Sequence, residues 1–190
     1  AAGRLAELMK AQLAELNFLD VEFEIAVQRM EEPGADGADD VEFLISTNPG
    51  ESLKPLGRIA SGGELSRVML AIKTVLADQD AIETVIFDEI DTGISGRTAQ
   101  KVSEKLALIG RSRQVICITH LAQLASMADS HYCIEKRAVD GSTQTGIRLL
   151  DEQESVEELA RILGGAQITD AVIDNAREMK KLAQKFKAHR

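Results

Sequence analysis

The sequence predicts an α/β fold, a partly parallel sheet with flanking helices preceded by an antiparallel strand pair. Three observations predict it. Short apolar runs at residues 21–27, 41–47, 84–87 and 114–118 have the period or continuity of strands. The segments between the later runs carry apolar residues at helical spacing. Connections in that second part are short, so strand, helix, strand and helix follow one another as in a parallel layer. Such a layer gathers its functional groups at the carboxyl ends of its strands.

Residues 1–17 read as a helix, with Leu5, Leu8, Met9, Leu13 and Leu16 near helical spacing. The helix starts without a capping signal, so it is either the end of a longer element, such as a returning coiled-coil arm, or a short terminal helix. Val21, Phe23, Ile25 and Val27 alternate with Glu22, Glu24 and Ala26, which predicts a half-buried strand. Pro33 and small residues among acids predict a solvated loop over residues 31–40, and residues 41–47 a second strand paired with the first. After Asn48-Pro49-Gly50 the texture changes. Residues 63–77 carry Leu65, Val68, Met69, Ile72, Val75 and Leu76 on one helical face. Residues 84–87 form a continuous apolar strand of the kind buried on both faces. A helix over 95–109 turns Val102, Leu106 and Ile109 inward, and a second buried strand covers 114–118. A short helix at 121–127, strands near 130–135 and 145–150 around a Gly141 turn, and helices at 156–163 and 168–187 complete the chain.

Composition narrows the class of protein. The 190 residues are 44% hydrophobic and 28% charged, which excludes collagen-like, low-complexity and disordered chains. Apolar runs are far shorter than the ~20 residues a membrane helix needs, and no signal-peptide pattern occurs, so a cytoplasmic protein without a membrane partner is expected. Cys117 and Cys133 lie in apolar strand-like runs without metal spacing and read as buried free thiols, not as zinc ligands. The net charge is −9, yet residues 168–190 carry six Lys or Arg against three Asp or Glu, which leaves −12 for residues 1–167. An acidic body cannot bind nucleic acid over its whole surface, because phosphate neutralisation needs a local excess of Lys and Arg. Arg177, Lys180, Lys181, Lys185, Lys187 and Arg190 form the one local candidate, with a solvated charged helix face as the alternative.

Four places carry chemistry. In Val85-Ile86-Phe87-Asp88-Glu89 an apolar strand delivers adjacent carboxylates at its carboxyl end. Such a pair suits a nucleoside triphosphatase, one acid holding Mg²⁺ and the other orienting and deprotonating water; a strand running into a polar turn is the alternative. Ser61-Gly62-Gly63-Glu64 opens a helix, and Ser61 with Glu64 makes a capping box. The box leaves the glycine pair unexplained, since each weakens a helix by about 0.5–1 kcal/mol relative to Ala; exposed N–H groups able to approach a phosphate explain it. His120 ends a strand whose parallel neighbour would end at Asp88 and Glu89, although a lone His there can also be structural. Asp91-Thr92-Gly93-Ile94-Ser95 follows the acids and reads as a loop with Ser95 as a helix cap.

In this order and spacing the residues resemble the C-terminal lobe of an ABC/SMC-type ATPase head. Ser61 to Glu64 matches the signature motif, Val85 to Glu89 the Walker B strand, Asp91 to Ser95 the D-loop and His120 the switch histidine. The longer strings Ile59 to Arg67, Phe87 to Gly96 and Ile118 to Gln123 are most similar to the RecN family of SMC-like ATPases of bacterial double-strand-break repair. The similarity extends to Asn48-Pro49-Gly50, Lys54-Pro55-Leu56 and the run Glu157 to Gly165. One departure stands out: no Gly-x-x-x-x-Gly-Lys-Ser/Thr loop occurs, and Gly-Lys is absent even as a dipeptide. In SMC-like proteins that loop lies in an N-terminal lobe across a long coiled coil.

The resemblance therefore implies that residues 1–17 end the returning coiled-coil arm and residues 18–190 form the C-terminal lobe. It implies ATP and Mg²⁺ as ligands and three partners: the chain's own N-terminal lobe carrying Walker A, a second copy of the head, and DNA through the whole protein. Ser61, Gly62, Gly63 and Glu64 would contact ATP held by the other head, Asp88 would hold Mg²⁺, and Asp91 would link the two sites. Glu89 would activate water and His120 would contact the γ-phosphate. It further implies ATPase activity only in the complete protein, inactivity of this segment alone, and a cytoplasmic, nucleoid-associated location. The alternatives are a dimerisation or DNA-clamp module with negligible turnover, a metal-dependent phosphoesterase built on Asp88, Glu89 and Asp91, and a transporter subunit, whose two lobes form one continuous segment.

Overall fold

In the computed structural model the described residues are all but 19, 36, 49, 60, 77–81, 140, 141, 166 and 190. The chain forms two compact units, residues 1–118 and 119–190.

The first unit opens with α1 (Ala2–Glu15), which buries Met9 and Leu13, with Leu16 buried at its C-cap, whereas Leu8 faces solvent. Asn17 ends it in the left-handed conformation (φ 72°), its N–H donating to Ala14 O and that of Phe18 to Leu13 O. These two bonds make a Schellman closure, and they seat Phe18 in the core. Strands β1 (Glu22–Gly34) and β2 (Gly37–Ser46) pair antiparallel, Phe23 opposite Ile45 and Val27 opposite Val41; β3 (Lys54–Pro55) adds to β2. The loop expected over 31–40 is instead mostly strand, with a register shift between Arg29 and Gly34. Backbone pairing extends the hairpin through residues whose described side chains, half-buried Ala38 apart, face water, and periodicity carries no trace of such pairing. The apolar face is buried at Phe23 and Ile45 but open at Val27 and Val41.

Next come α2 (Gly62–Val75), β4 (Thr84–Phe87), α3 (Gly96–Ile109) and β5 (Gln114–Cys117). The expected parallel pairing is present, Thr84 to Phe87 aligned with Gln114 to Cys117. Burial on both faces is not: Phe87 is buried, whereas Ile86 is 64%, Ile116 44% and Ile118 49% exposed. A continuous apolar run identifies a strand that can be covered on both faces, and only neighbouring layers decide whether it is. Helix α3 buries Val102, Leu106 and Ile109 as expected, whereas α2 buries Val68, Leu70 and Ala71 and leaves Leu65 and Met69 partly open. Lys105 of α3, itself buried, bonds Gln12 and pairs with Glu15 at 3.0 Å, which places its charge at the negative end of α1.

The second unit holds α4 (Ala122–Ser126), the antiparallel hairpin β6 (Tyr132–Val139) and β7 (Ser142–Leu149), α5 (Glu152–Gly164) and α6 (Asp170–Ala188). The expected Gly141 turn lies outside the described residues. Its core joins Ala122 and Ala125 to Val156, Leu159, Ala160 and Ala176. Helix α5 starts four residues before the apolar pattern does, because Asp151 and Glu154 close a reciprocal capping box. Cys117 and Cys133 are free, and both are half-buried, not fully enclosed.

Candidate functional site

The site lies in the first unit, where the end of β4 meets the first turn of α2. Phe87, buried, fixes the end of β4, and Asp88 and Glu89 emerge from it into solvent. Glu89 adopts φ 56°, a left-handed conformation that costs a residue with a Cβ roughly 1–2 kcal/mol. Its surroundings hold it there. The Glu89 N–H donates to Asp88 Oδ1 at 2.9 Å, and Glu89 O accepts the Thr92 N–H at 3.0 Å, which closes a tight turn over residues 89–92.

Helix α2 begins at Ser61, whose Oγ accepts the Glu64 N–H at 3.4 Å. Both glycines of its first turn carry the packing against the loop. A Cβ on Gly62 would collide with Glu89 Oε2, and one on Gly63 would lie 2.9 Å from both Glu89 O and Thr92 Cβ. Close backbone approach thus requires glycine at 63, a reason additional to phosphate access, whereas Gly62 faces only the movable end of the Glu89 side chain. Two side chains without an assigned role in the sequence reading complete the joint. Ser66 Oγ donates to Asp88 O at 2.7 Å, and Arg67 Nη1 donates to Thr92 O at 2.8 Å and Ile90 O at 3.4 Å. Arg67 is only 8% exposed and its Nε finds no hydrogen-bond partner. Phe18 lies 5.5 Å beneath its guanidinium, and burial pulls the group below its ordinary pKa while Glu64 pulls the other way. The one signal available was position: Arg67 sits on the helix face shared by Gly63, Leu70 and Ala71, where a solvated Arg does not belong.

Ser61, Gly62, Gly63, Glu64, Asp88, Glu89 and Asp91 are thus assembled within one unit. Asp91 is buried at 3% exposure. Beside these acids Cys117 ends β5, its thiol pushed up to about 12 first by burial and then by the charges of Asp91 and Asp88. The thiol stays protonated at neutral pH and is no nucleophile. His120 opens the second unit and is exposed; next to it Thr119 Oγ1 accepts the Leu121 N–H at 3.0 Å.

The donor set fits one Mg²⁺ ligand. Asp88 is exposed, and one of its oxygens is engaged by the Glu89 N–H. Mg²⁺ takes one or two carboxylates and fills its octahedron with water and phosphate oxygens. Among the described residues no three His, Cys, Asp or Glu side chains converge to hold a metal. No helix among the described residues is long and apolar enough to cross a membrane.

Comparison with known proteins places this geometry. No family model matches the chain. The chain is 44% identical over 183 residues to the DNA repair protein RecN of Halalkalibacterium halodurans, covering 96% of the chain and 32% of that protein. It is 50% identical over 151 residues to the RecN of Bacillus subtilis (80% and 26%) and 45% identical over 178 to that of Deinococcus radiodurans (94% and 31%). Among solved structures, the Smc head domain with a coiled coil and joint from Pyrococcus yayanosii matches with a TM-score of 0.55 at 22% identity, over 82% of the chain and 28% of that structure. That likeness establishes the fold, an SMC head-type α/β arrangement. The chain spans about a third of the length of the curated relatives it matches. By sequence, the chain belongs with the RecN family of DNA repair proteins, as a segment matching about a third of their length.

Proposed function

We propose that the chain is the C-terminal lobe of an SMC-like ATPase head, with residues 1–17 ending the returning coiled-coil arm. With an N-terminal lobe supplied by the rest of the protein it binds and hydrolyses ATP between two copies of the head, coupling nucleotide state to DNA tethering in double-strand-break repair. The observation that carries this reading is the joint between β4 and α2. A strand end with two exposed carboxylates is bolted to a glycine-opened helix start, in a chain with RecN-like sequence throughout. The open face of Ile86, Ile116 and Ile118 supports a second lobe seated there, because parallel sheets are ordinarily covered on both faces. A cytoplasmic, nucleoid-associated location follows from the same reading.

Each residue has a distinct task. Gly62 and Gly63 offer backbone N–H groups and the positive end of α2 to the phosphates of ATP held by the opposite head, with the Ser61 hydroxyl beside them and Glu64 bracing the turn. Asp88 would hold Mg²⁺, which would supply charge neutralisation at the phosphates. Glu89 orients the attacking water and accepts its proton, help worth about 10²–10⁴ in rate. His120 donates to the γ-phosphate. Asp91 lies within the loop with its side chain buried, and links the two sites through the position of that loop. Differential affinity for ATP over ADP then drives head pairing.

The test is Glu89→Gln in the complete protein. Turnover should fall by about 10²–10⁴ while the ATP-bound head pair persists. Unchanged turnover removes Glu89 from the chemistry. Ser61→Arg should leave nucleotide binding by one head intact and abolish ATP-dependent pairing, and persistent pairing would refute the role of α2 across the dimer.

A further inference from the structure

We infer that Glu89 is parked over the first turn of α2, where its carboxylate competes with the phosphate that this turn receives. The inference rests on the roles proposed above for α2 and Glu89. The geometry behind it is specific. Glu89 is held at φ 56° by its N–H to Asp88 Oδ1 and by the Thr92 N–H to its carbonyl. Ser66 and Arg67, both on α2, hold the loop on either side through Asp88 O, Ile90 O and Thr92 O. In that frame the side chain crosses Gly62 so closely that even a methyl group there would strike Oε2.

A phosphate reaching the N–H groups of Gly62 and Gly63 meets this carboxylate, and two anions do not share one helix start. Docking of the opposite head's nucleotide on α2 therefore displaces Glu89 from Gly62. The side chain is exposed, so it can leave without unpacking the core. Once released, it is available to the water at its own head's nucleotide. Occupation of one site of a head pair thereby arms the base of the other, and a lone head keeps its base parked.

Inorganic phosphate titrated into the 190-residue chain, read from the amide ¹H–¹⁵N signals of Gly62 and Gly63, tests the contact directly. Glu89→Gln and Glu89→Ala should each bind phosphate about fivefold more tightly than the parent, the factor given by ~1 kcal/mol of repulsion between unit charges about 4 Å apart in water. Equal affinity in all three proteins, or no phosphate response at Gly62 and Gly63 in any, overturns the inference. Turnover of Glu89→Gln in the complete protein reads the base assignment separately. Tighter phosphate binding with turnover retained keeps the parked carboxylate and removes the base. Lost turnover with unchanged phosphate binding does the opposite.

Discussion

Single side chains decide more here than their types announce. Gly63 cannot become Ala without pressing on Glu89 O and Thr92, which are backbone and β-branched and cannot move aside. Gly63→Ala should therefore destabilise the chain by about 1–3 kcal/mol in denaturant unfolding, although Ala is the better helix former by about 1 kcal/mol. His131 has a different dependence. Its Nδ1 lies 2.7 Å from Ser155 Oγ, which also accepts from Lys180 Nζ at 2.9 Å. Burial, then the Lys180 charge, lower its pKa from 6.5, with Glu158 opposing. The unfolded chain thus takes up this proton first as pH falls. The contribution of His131 to stability is complete above pH 6.5 and is lost as pH drops toward the folded value. Unfolding midpoints of His131→Gln and the parent should diverge above pH 6.5 and converge below it; parallel curves would refute the assignment. Neither effect was legible in sequence, because Gly63 and His131 are defined by residues 24 or more positions away.

At the scale of elements, the joint between α2 and the loop after β4 is the distinctive construction. Arg67 gives both of its bonds to carbonyls of that loop while stacked on Phe18. Arg67→Met should cost about 1.5–3 kcal/mol and loosen the loop, seen as faster amide exchange at Thr92, whose N–H closes the turn. Arg67→Lys should recover part of the stability, since a point cation reaches one carbonyl and not two. Helix α6 answers the question of the basic terminal segment in part. Lys180 is bonded to Ser155, Lys187 to Met127 O and Asp129, and Arg177 to Asp174, so three of its cations serve intramolecular contacts; Arg190 lies outside the described residues. A solvated, structurally engaged face accounts for these better than a DNA surface does. Helix positions were readable from apolar spacing, and β4 and β5 from their apolar continuity. Strand extension through 31–40 was not, since ladder bonds do not depend on side-chain type.

At the scale of the whole molecule, the open sheet face formed by Ile86, Ile116 and Ile118 is the feature that bears on the proposed N-terminal lobe. The chain by itself should bind a hydrophobic dye at Ile86, Ile116 and Ile118, and hydrolyse no ATP. Addition of the segment corresponding to the N-terminal lobe should suppress the dye signal, and Ile86→Ser with Ile116→Ser should weaken that association without unfolding the chain, since both side chains already face solvent. Dye binding unchanged by the added segment would remove this face as the seat of the proposed N-terminal lobe. The amino-acid sequence by itself determined the α/β class, the order of the motifs and the identity of the carboxylates, because these follow from local periodicity and from short contiguous strings. Tertiary structure alone decided that Gly63 is a packing glycine as well, that Arg67 and Ser66 bolt α2 to the acidic loop, and that Glu89 rests on Gly62. Those facts depend on two segments some twenty-five residues apart meeting at backbone distance, and no property of either segment alone records the meeting.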